Sequence, residues 1–513
     1  MVCWYTGAAG GSARSRGVSG GVEGETTVVI GPSENNPGAT AQRRRKSTWI
    51  WVSAVVVALL VIAGGFVAIA RPWTPEFRHG GLTVAPPPST DQPVAEVTPA
   101  KSDAPAPTSA GIAAALAPVV GSPDLGSFAG QVTDPTSGAV LWSQDPAKAM
   151  IPSSTAKVML VAAALLTLPD DQRVATRVLA GAPGELVLVG GGDPTLTTRA
   201  DGGYYTDGAR IAELAARIKA TGRQVSAIVV DTSAYRGPTM ASGWDPVDIP
   251  EGSITPIEPI MLDGGRFDPS ADYSPRTSTP ALDAGRALAA ELGVDPAAVR
   301  VGPAAQNGAE IAKVESAPLR VRLHDMMIHS DNVLAETIGR ELAVATGHEA
   351  SFAGAVAATT AALTNAGFDI AGLHLADNSG LSVDDRVPPR LLDAIIATAA
   401  EPTGDAAVAP AGTQAKPEND PRAAALAPLL DDLPVAGGTG TLAPRFVTQN
   451  RQGAGWVRAK TGTLSVASAL VGYVLDRDGR VLTFALMSND RLPEVSRPAL
   501  DAVAGALRNC GCS

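Results

Sequence analysis

The stretch IPSSTAKVMLVAAALL, residues 151–166, joins two hydroxyls and a lysine to an almost wholly apolar run. A helix that is apolar on every side is normally buried. Hydroxyl and ammonium groups at the head of such a helix cost solvation free energy unless they form interactions there. We therefore expect this segment to begin a buried helix that presents its polar head to a cleft.

Ser154 and Lys157 are three residues apart, so one helical turn places both side chains on the same face. Pro152 suits a helix start, and a serine there gains from the positive end of the helix dipole. A lysine in a poorly solvated pocket can have its pKa lowered enough to take the hydroxyl proton. S-x-x-K alone also fits a capping serine beside a lysine that reaches to solvent. Ser153 is the other hydroxyl, but its spacing from Lys157 does not fit the pattern.

Two further motifs carry hydrogen-bond donors and hydroxyl groups. Residues 330–332 (SDN) lie in a segment with helical periodicity, and residues 460–463 (KTGT) begin a predicted strand. Glycine lets a ligand approach a strand closely, and Lys and Thr supply donors for a carboxylate. Taken singly, SDN also fits a helix cap, and KTGT also fits an ordinary loop-to-strand junction.

The order S-x-x-K, S-D-N and K-T-G is typical of penicillin-binding proteins and serine β-lactamases. The chain resembles the penicillin-binding D-alanyl-D-alanine carboxypeptidase/endopeptidase family of low molecular mass, class C. Ser330 lies 176 residues after Ser154, far more than in a compact β-lactamase, and this family carries an inserted domain there. The other similar stretches are GGGDPTL (190–196), DTSAY with GWDP (231–246), DNSGLS (377–382) and LPVAGGTGTLAPRF (433–446). The resemblance covers about residues 115–508.

The resemblance implies acyl transfer through a serine. Ser154 would attack the carbonyl between two D-alanines of a peptidoglycan stem peptide, with Lys157 as its base, and β-lactams would acylate the same hydroxyl. A second hydroxyl and amine would pass the proton to the departing D-alanine. An amide would hold the substrate, and backbone N–H groups of residues 154 and 463 would form the oxyanion hole. The candidate catalytic residues are Ser154, Lys157, Ser330, Asn332 and Lys460, and the candidate substrate-binding residues are Thr461, Gly462 and Thr463.

The N-terminal region predicts attachment to a membrane. The run from Trp49 to Ala70 is uncharged and long enough to cross a bilayer as a helix. RRRK at 43–46 precedes it, so the N-terminus should stay in the cytoplasm and the rest of the chain should lie on the cell-wall side. An uncleaved anchor fits better than a signal peptide, whose apolar core is shorter. The Pro- and Ala-rich stretch after it should be an extended tether.

The pattern of elements predicts a mixed α/β protein of the α+β type. Hairpins at 128–143 and 467–488 predict one antiparallel sheet built from both ends of the chain. A helical subdomain is expected at about 321–400, a surface loop at 402–421 and a closing helix at 493–509. The predicted divisions are a disordered tail (1–48), an anchor (49–70), a linker (71–112), a DD-peptidase-like domain (113–173 and 315–513) and an inserted mixed α/β domain (174–314).

Charge and composition limit the partners. The formal net charge of −11 argues against nucleic acid. The five histidines form no H-E-x-x-H pair, and the three cysteines show no zinc spacing, so no metal or cofactor is expected. Cys510 and Cys512 could form a local bridge, a bridge to another chain or two free thiols. The oligomeric state stays open.

Two other functions compete with a peptidase. A serine β-lactamase would use the same three motifs, although the insertion and the anchor count against it. A non-catalytic, membrane-anchored penicillin-binding sensor or scaffold would use the same pocket, although it would not need every motif residue. The sequence does not distinguish carboxypeptidase from endopeptidase action.

Overall fold

The structure, a computed structural model, describes residues 104–303, 308–402 and 420–511, together with short helical pieces between 55 and 69. The chain divides into two units, Met1–Glu96 and Val97–Ser513. No helix within the described ranges is long and apolar enough to cross a membrane. The predicted tail, much of the predicted anchor and linker, and nearly all of the predicted 402–421 loop lie outside the described residues and stay predictions.

A five-stranded antiparallel sheet with the strand order β10-β11-β12-β1-β2 lies at the centre of the second unit. Strand β1 pairs with β12 from Ser127 opposite Asn489 to Thr133 opposite Thr483. Both predicted hairpins are confirmed, and so is the prediction that they share one sheet. The strands are β1 (Ser127–Asp134), β2 (Ala139–Gln144), β10 (Val457–Leu464), β11 (Ala467–Leu475) and β12 (Val481–Asn489).

Helices cover both faces of this sheet because its central strands are apolar on both sides. Ala469 and Val471 of β11 pack into one core, and Leu470 and Val474 pack into the other. The helices are α1 (Ser109–Val120), α2 (Lys157–Thr167), α3 (Ile211–Lys219), α4 (Pro280–Leu292), α5 (Leu319–His329), α6 (Asn332–Ala345), α7 (Phe352–Asn365), α8 (Pro389–Ala399), α9 (Pro421–Leu426), α10 (Pro428–Asp431) and α11 (Pro493–Asn509).

The apolar helix α2 lies in the larger core with α5 to α8, and every residue from Val158 to Ala164 is fully buried. This confirms the buried helix for the part of the opening segment that begins at Lys157. Helices α1 and α11 cover the opposite face. The closing helix has the bounds that the sequence predicted.

A second five-stranded sheet, with the order β8-β6-β4-β3-β9, is formed by residues 175–315. Its parallel pairs are β4 with β6 and β6 with β8, whereas β3 runs antiparallel to both of its neighbours. Helices α3 and α4 supply apolar residues to its core. A parallel pair, β5 with β7, lies in the same segment. The strands are β3 (Ala175–Ala180), β4 (Glu185–Val189), β5 (Asp193–Leu196), β6 (Ala227–Asp231), β7 (Ile260–Leu262), β8 (Val299–Val301) and β9 (Glu310–Glu315).

The two ends of this unit meet through α1 and α11. Helix α1 begins at Ser109, within the segment that the sequence assigned to the linker, because Ile112 and Leu116 are buried in the core that α11 also lines. Cys510, which follows α11, is buried and disulfide-bonded. A free thiol at Cys510 is therefore not what the structure shows. The boundaries of the predicted inserted domain stay a prediction, since Val97–Ser513 forms one unit.

Candidate active site

The turn that carries Ser154 is not α-helical. Residues Ser153–Ala156 form a 3₁₀ turn, and helix α2 begins only at Lys157. Ser153 has a φ of 49°, in the left-handed region that non-glycine residues seldom adopt. The helix therefore starts later than the sequence predicted, and its first turn is a strained connection. Such strain persists only where the surroundings enforce it.

Two glycines enforce this turn by close approach. A side chain at Gly380 would overlap the carbonyl oxygen of Ser153, and Gly380 itself has a φ of +75°. A Cβ at Gly462 would lie 2.6 Å from the carbonyl oxygen of Pro152. The segment 377–382 and strand β10 therefore press on the turn at these two glycines. Ser153 is fully buried between them, whereas Ser154 is only half-buried.

Lys157 is completely buried, and its Nζ donates to three oxygens. The acceptors are Ser154 Oγ at 3.0 Å, Asn332 Oδ1 at 2.7 Å and the carbonyl oxygen of Ser379 at 2.7 Å. Burial lowers the pKa of Lys157 to about 8, against the opposing effect of nearby carboxylates, of which Asp377 contributes most. As a neutral amine, Lys157 would donate two of these bonds and accept the hydroxyl proton of Ser154. The geometry therefore suits a general base.

A second buried amine and hydroxyl form a similar pair. Lys460 of β10 donates from Nζ to Ser330 Oγ at 2.8 Å and to the carbonyl oxygen of Thr461 at 2.9 Å. Ser330 ends helix α5 with a φ of 57°. Burial lowers the pKa of Lys460 well below its usual range, and the charge of Lys157 lowers it further. Two amines thus face two hydroxyls, and each pair can hold or pass a proton.

Asn332 links the two sheet-bearing parts of the molecule. Its Oδ1 accepts from Lys157, and its Nδ2 donates to the carbonyl oxygen of Ser253 at 3.0 Å. Asp331 caps helix α6 by accepting from the backbone N–H of Leu334 at 2.8 Å. Asn332 is therefore the first residue of a capped helix, and its two side-chain hydrogen bonds orient its amide.

Asp331 is itself held by two buried arginines from the 175–315 segment. Its Oδ2 lies 2.8 Å from Arg266 and 3.4 Å from Arg276. Burial alone would raise the pKa of Asp331, but these two positive charges hold it well below its usual range. A buried carboxylate without such partners would be costly. The 175–315 segment therefore holds the SDN motif through these two arginines.

Strand β10, which carries the KTG motif, is an edge strand of the central sheet. Thr461 is mostly buried, and its Oγ1 lies 2.7 Å from Thr441 Oγ1. Gly462 is the point of closest approach to the nucleophile turn, and Thr463 is exposed. An extended peptide can lie along such an edge strand, which would bring the carboxylate of the peptide near the threonine hydroxyls.

Hydrogen bonds thus join the five candidate catalytic residues in two groups, Lys157 with Ser154 and Asn332, and Lys460 with Ser330. The candidate binding residues follow Lys460 on strand β10. Sequence reasoning missed the groups that support them: Ser253, Glu336, Asp377 and Thr441. The spacing of Glu336 could have indicated a role near the site, because Glu336 stands four residues after Asn332 and so shares its helix face. The segment 377–382 and Thr441 lie in stretches that were noted for their resemblance, but no role followed from sequence alone.

The histidine next to Ser330 makes its contacts outside this hydrogen-bond network. His329 Nδ1 is 3.4 Å from Asp272, and its ring lies tilted against that of Tyr204, with centroids 5.1 Å apart. Across the described part of the chain, no three His, Cys, Asp or Glu side chains are grouped so that they could hold a metal ion. The chemistry that the described site residues offer is proton transfer between amines and hydroxyls.

Comparison with known proteins gives consistent matches. The D-Ala-D-Ala carboxypeptidase 3 (S13) family profile matches residues 112–278 and 270–510. The chain is 47% identical over 479 residues to Carboxypeptidase DacB of Mycolicibacterium smegmatis, which covers 92% of this chain and 99% of that protein. It is also 47% identical over 483 residues to Carboxypeptidase Rv3627c of Mycobacterium tuberculosis, again over 92% and 99%.

The fold has a solved counterpart. The structure superimposes on penicillin binding protein 4 (dacB) from Haemophilus influenzae with a TM-score of 0.59 and 21% identity. The match covers 78% of this chain and 98% of that one. The mixed α/β architecture, with antiparallel and mixed sheets, is therefore a shared one.

Proposed function

Because the chain belongs to the D-Ala-D-Ala carboxypeptidase 3 (S13) family and is a serine D-Ala-D-Ala carboxypeptidase, we propose that it works through an acyl-enzyme on Ser154. The observation that carries this assignment is the 3.0 Å hydrogen bond from the fully buried Lys157 to Ser154 Oγ. A nucleophilic hydroxyl needs an adjacent base. Lys157 is that base in its neutral form.

In the first step, Lys157 takes the hydroxyl proton while Ser154 Oγ bonds to the carbonyl carbon between the two D-alanines. The carbonyl oxygen gains negative charge, and the backbone N–H groups of residues 154 and 463 would face it. Loss of one such oxyanion donor typically costs about 3 to 4 kcal/mol of barrier. The ester forms when the C–N bond breaks.

The departing amine needs a proton as that bond breaks. Ser330 and Lys460 are 2.8 Å apart and would deliver the proton to the D-alanine nitrogen. The proton that Lys157 took would then replace the one that this second pair gave to the amine, so that both lysines regain their starting protonation. Water next attacks the ester, releases the shortened peptide and restores the Ser154 hydroxyl.

Substrate recognition would use strand β10 together with Asn332, whose amide contacts Ser253 of the 175–315 segment. The terminal carboxylate would lie against Lys460, Thr461 and Thr463, with Gly462 leaving room for it. Asn332 would turn its Nδ2 from the carbonyl oxygen of Ser253 to the substrate amide. Peptidoglycan stem peptides are the proposed substrates. β-Lactams are the proposed covalent inhibitors, since they present a similar carboxylate and reactive carbonyl.

The test uses a protein that begins at residue 97, the start of the second unit, incubated with cross-linked pentapeptide muropeptides and followed by mass spectrometry. We expect the loss of one D-alanine, as a carboxypeptidase requires. We also propose endopeptidase action, and splitting of the cross-link would establish it. Fast turnover of penicillin would favour a β-lactamase. Intact muropeptides under conditions where penicillin labels Ser154 would favour the sensor or scaffold instead.

We also propose that residues 49–70 anchor the enzyme in the cell membrane, with the N-terminus in the cytoplasm and the catalytic part on the wall side. The run is uncharged, and the apolar side chains described there point outward: Val57, Leu60 and Ile62 are 59%, 66% and 66% exposed. Exposed apolar helices of this kind mark membrane contact.

Fractionation of cells that express the full chain checks the anchor. We expect the protein to stay with the membranes after a carbonate wash at high pH, whereas a variant that lacks residues 1–96, the whole first unit, and is made in the cytoplasm should be soluble. A full chain that the wash releases would contradict the anchor without affecting the catalytic assignment.

A further inference from the structure

The turn at residues 377–382 holds the base through one carbonyl oxygen. Lys157 donates to the carbonyl oxygen of Ser379 at 2.7 Å, inside the protein and away from solvent. The oxygen belongs to a loop and not to a helix or strand. Its position must therefore be set by side-chain contacts to the backbone of the loop.

Glu336 supplies such a contact from helix α6. It is fully buried, and its Oε1 accepts from the backbone N–H of Asn378 at 3.0 Å and of Ser379 at 2.9 Å. Because Glu336 stands four residues after Asn332, one helix face supports two of the three acceptors of Lys157. One of them, Asn332 Oδ1, contacts the amine directly. The other, the carbonyl of Ser379, is fixed through Glu336.

Asp377 holds the next peptide unit of the same turn. Its Oδ1 accepts from the N–H of Gly380 at 2.6 Å, and that N–H shares a peptide plane with the carbonyl of Ser379. Its Oδ2 accepts from Ser382 N–H at 2.7 Å and from the indole of Trp244 at 2.6 Å. Two buried carboxylates therefore hold successive peptide units beside the base.

Other charged groups face Glu336 and Lys157. Arg340, one turn along α6, lies 3.4 Å from Glu336 Oε2. Asp377 and Asp385 of the loop and Asp331 at the head of α6 add negative charge around Lys157. Burial, reinforced by the charge of Asp377, raises the pKa of Glu336 to about 7. The carboxylate of Glu336 opposes the lowering of the Lys157 pKa.

We propose that Glu336 is a positioning residue for acylation: it fixes the backbone of Asn378 and Ser379, and thereby the carbonyl oxygen that aims the Lys157 amine at Ser154. It touches neither substrate nor nucleophile. The inference rests on the proposed role of Ser154 and Lys157 and names the support that their geometry requires.

Three variants on helix α6 test this role by acylation with benzylpenicillin, measured from pH 5.5 to 9.5 by intact mass. Glu336→Ala removes the acceptor for two buried N–H groups, and we expect acylation to slow by about 10- to 100-fold. Glu336→Gln keeps an acceptor oxygen but loses the charge. Its acylation should stay within about fivefold of wild type at the optimum, with the acidic limb displaced by roughly half a pH unit to lower pH.

Glu341→Gln is the matched control, since Glu341 also lies on α6, with 10% of its side chain exposed, but pairs with Arg322 at 2.6 Å. It should lower stability without moving the pH profile. The proposal is overturned if folded Glu336→Ala acylates within about threefold of wild type, or if the profile of Glu336→Gln coincides with those of wild type and Glu341→Gln. If Glu336→Ala does not fold, the profile of Glu336→Gln decides. Failure of the wild type itself to acylate would instead refute the assignment of Ser154.

Discussion

Replacing Ser154 by alanine abolishes covalent labelling by benzylpenicillin and the release of D-alanine. The hydroxyl is the only group that Lys157 contacts on the nucleophile turn with its Nζ among the described residues, and its loss leaves the base without a proton to take. In a serine protease, removal of the nucleophilic serine lowers kcat by about 10⁶-fold. Intact mass spectrometry after incubation with penicillin gives the result directly.

Ser153→Ala is the control for that experiment. Ser153 is fully buried, and its Oγ has no hydrogen-bond partner among the described residues. Its alanine variant should therefore keep its labelling and its carboxypeptidase activity. If Ser153→Ala lost the label while Ser154→Ala kept it, the nucleophile would be the buried hydroxyl and the geometry proposed for Lys157 would fail.

Replacing Lys157 by methionine slows acylation by about 10²- to 10⁴-fold, the usual contribution of a general base. Methionine has a similar length and can occupy the buried channel, but it can neither accept the Ser154 proton nor donate to Asn332 and Ser379. In the wild type, burial lowers the pKa of Lys157 to about 8. Acylation should therefore rise as pH increases through about 8, because the neutral amine is the active form.

The acylation rate of Lys157→Met, followed against pH, checks both parts of this expectation. The variant should lose the rise that the wild type shows. Lys313→Met is the control, since Lys313 is 44% exposed on its side chain and pairs with Glu315 in the inserted segment. If Lys157→Met kept the rise, another group would be the base, and Lys460, with its own lowered pKa, would be the first candidate.

Local sequence patterns were enough to predict the parts of the fold that depend on neighbouring residues. The hairpins at both ends, the apolar helix after Lys157 and the closing helix follow from periodicity and turn residues. The motif residues could be brought together only through the family resemblance, since nothing in their spacing shows that residues 154, 330 and 460 meet. The structure joins Ser330 to Lys460 by a hydrogen bond and places Gly462 of the same strand against the turn that carries Ser154.

The remaining features depend on contacts between distant residues. The left-handed Ser153 follows from the approach of Gly380 and Gly462, which lie more than 220 residues further along the chain. Asp331 reads as a simple helix cap until Arg266 and Arg276 are seen beside it. Glu336 reads as an ordinary helix residue until its oxygen is seen on the backbone of residues 378 and 379. No local pattern encodes these pairings.

The central sheet also determines when, during synthesis, the enzyme can become active. Strand β1 leaves the ribosome early, yet its partner β12 begins at Val481, close to the end of the chain. Pairings between such distant segments form slowly and late. Ser154 and Lys157 therefore emerge long before the strand that carries Lys460. A nascent chain already contains Ser154 and Lys157 but lacks the complete active site. It therefore cannot cleave peptides or be acylated efficiently until β10, β11 and β12 have joined the sheet.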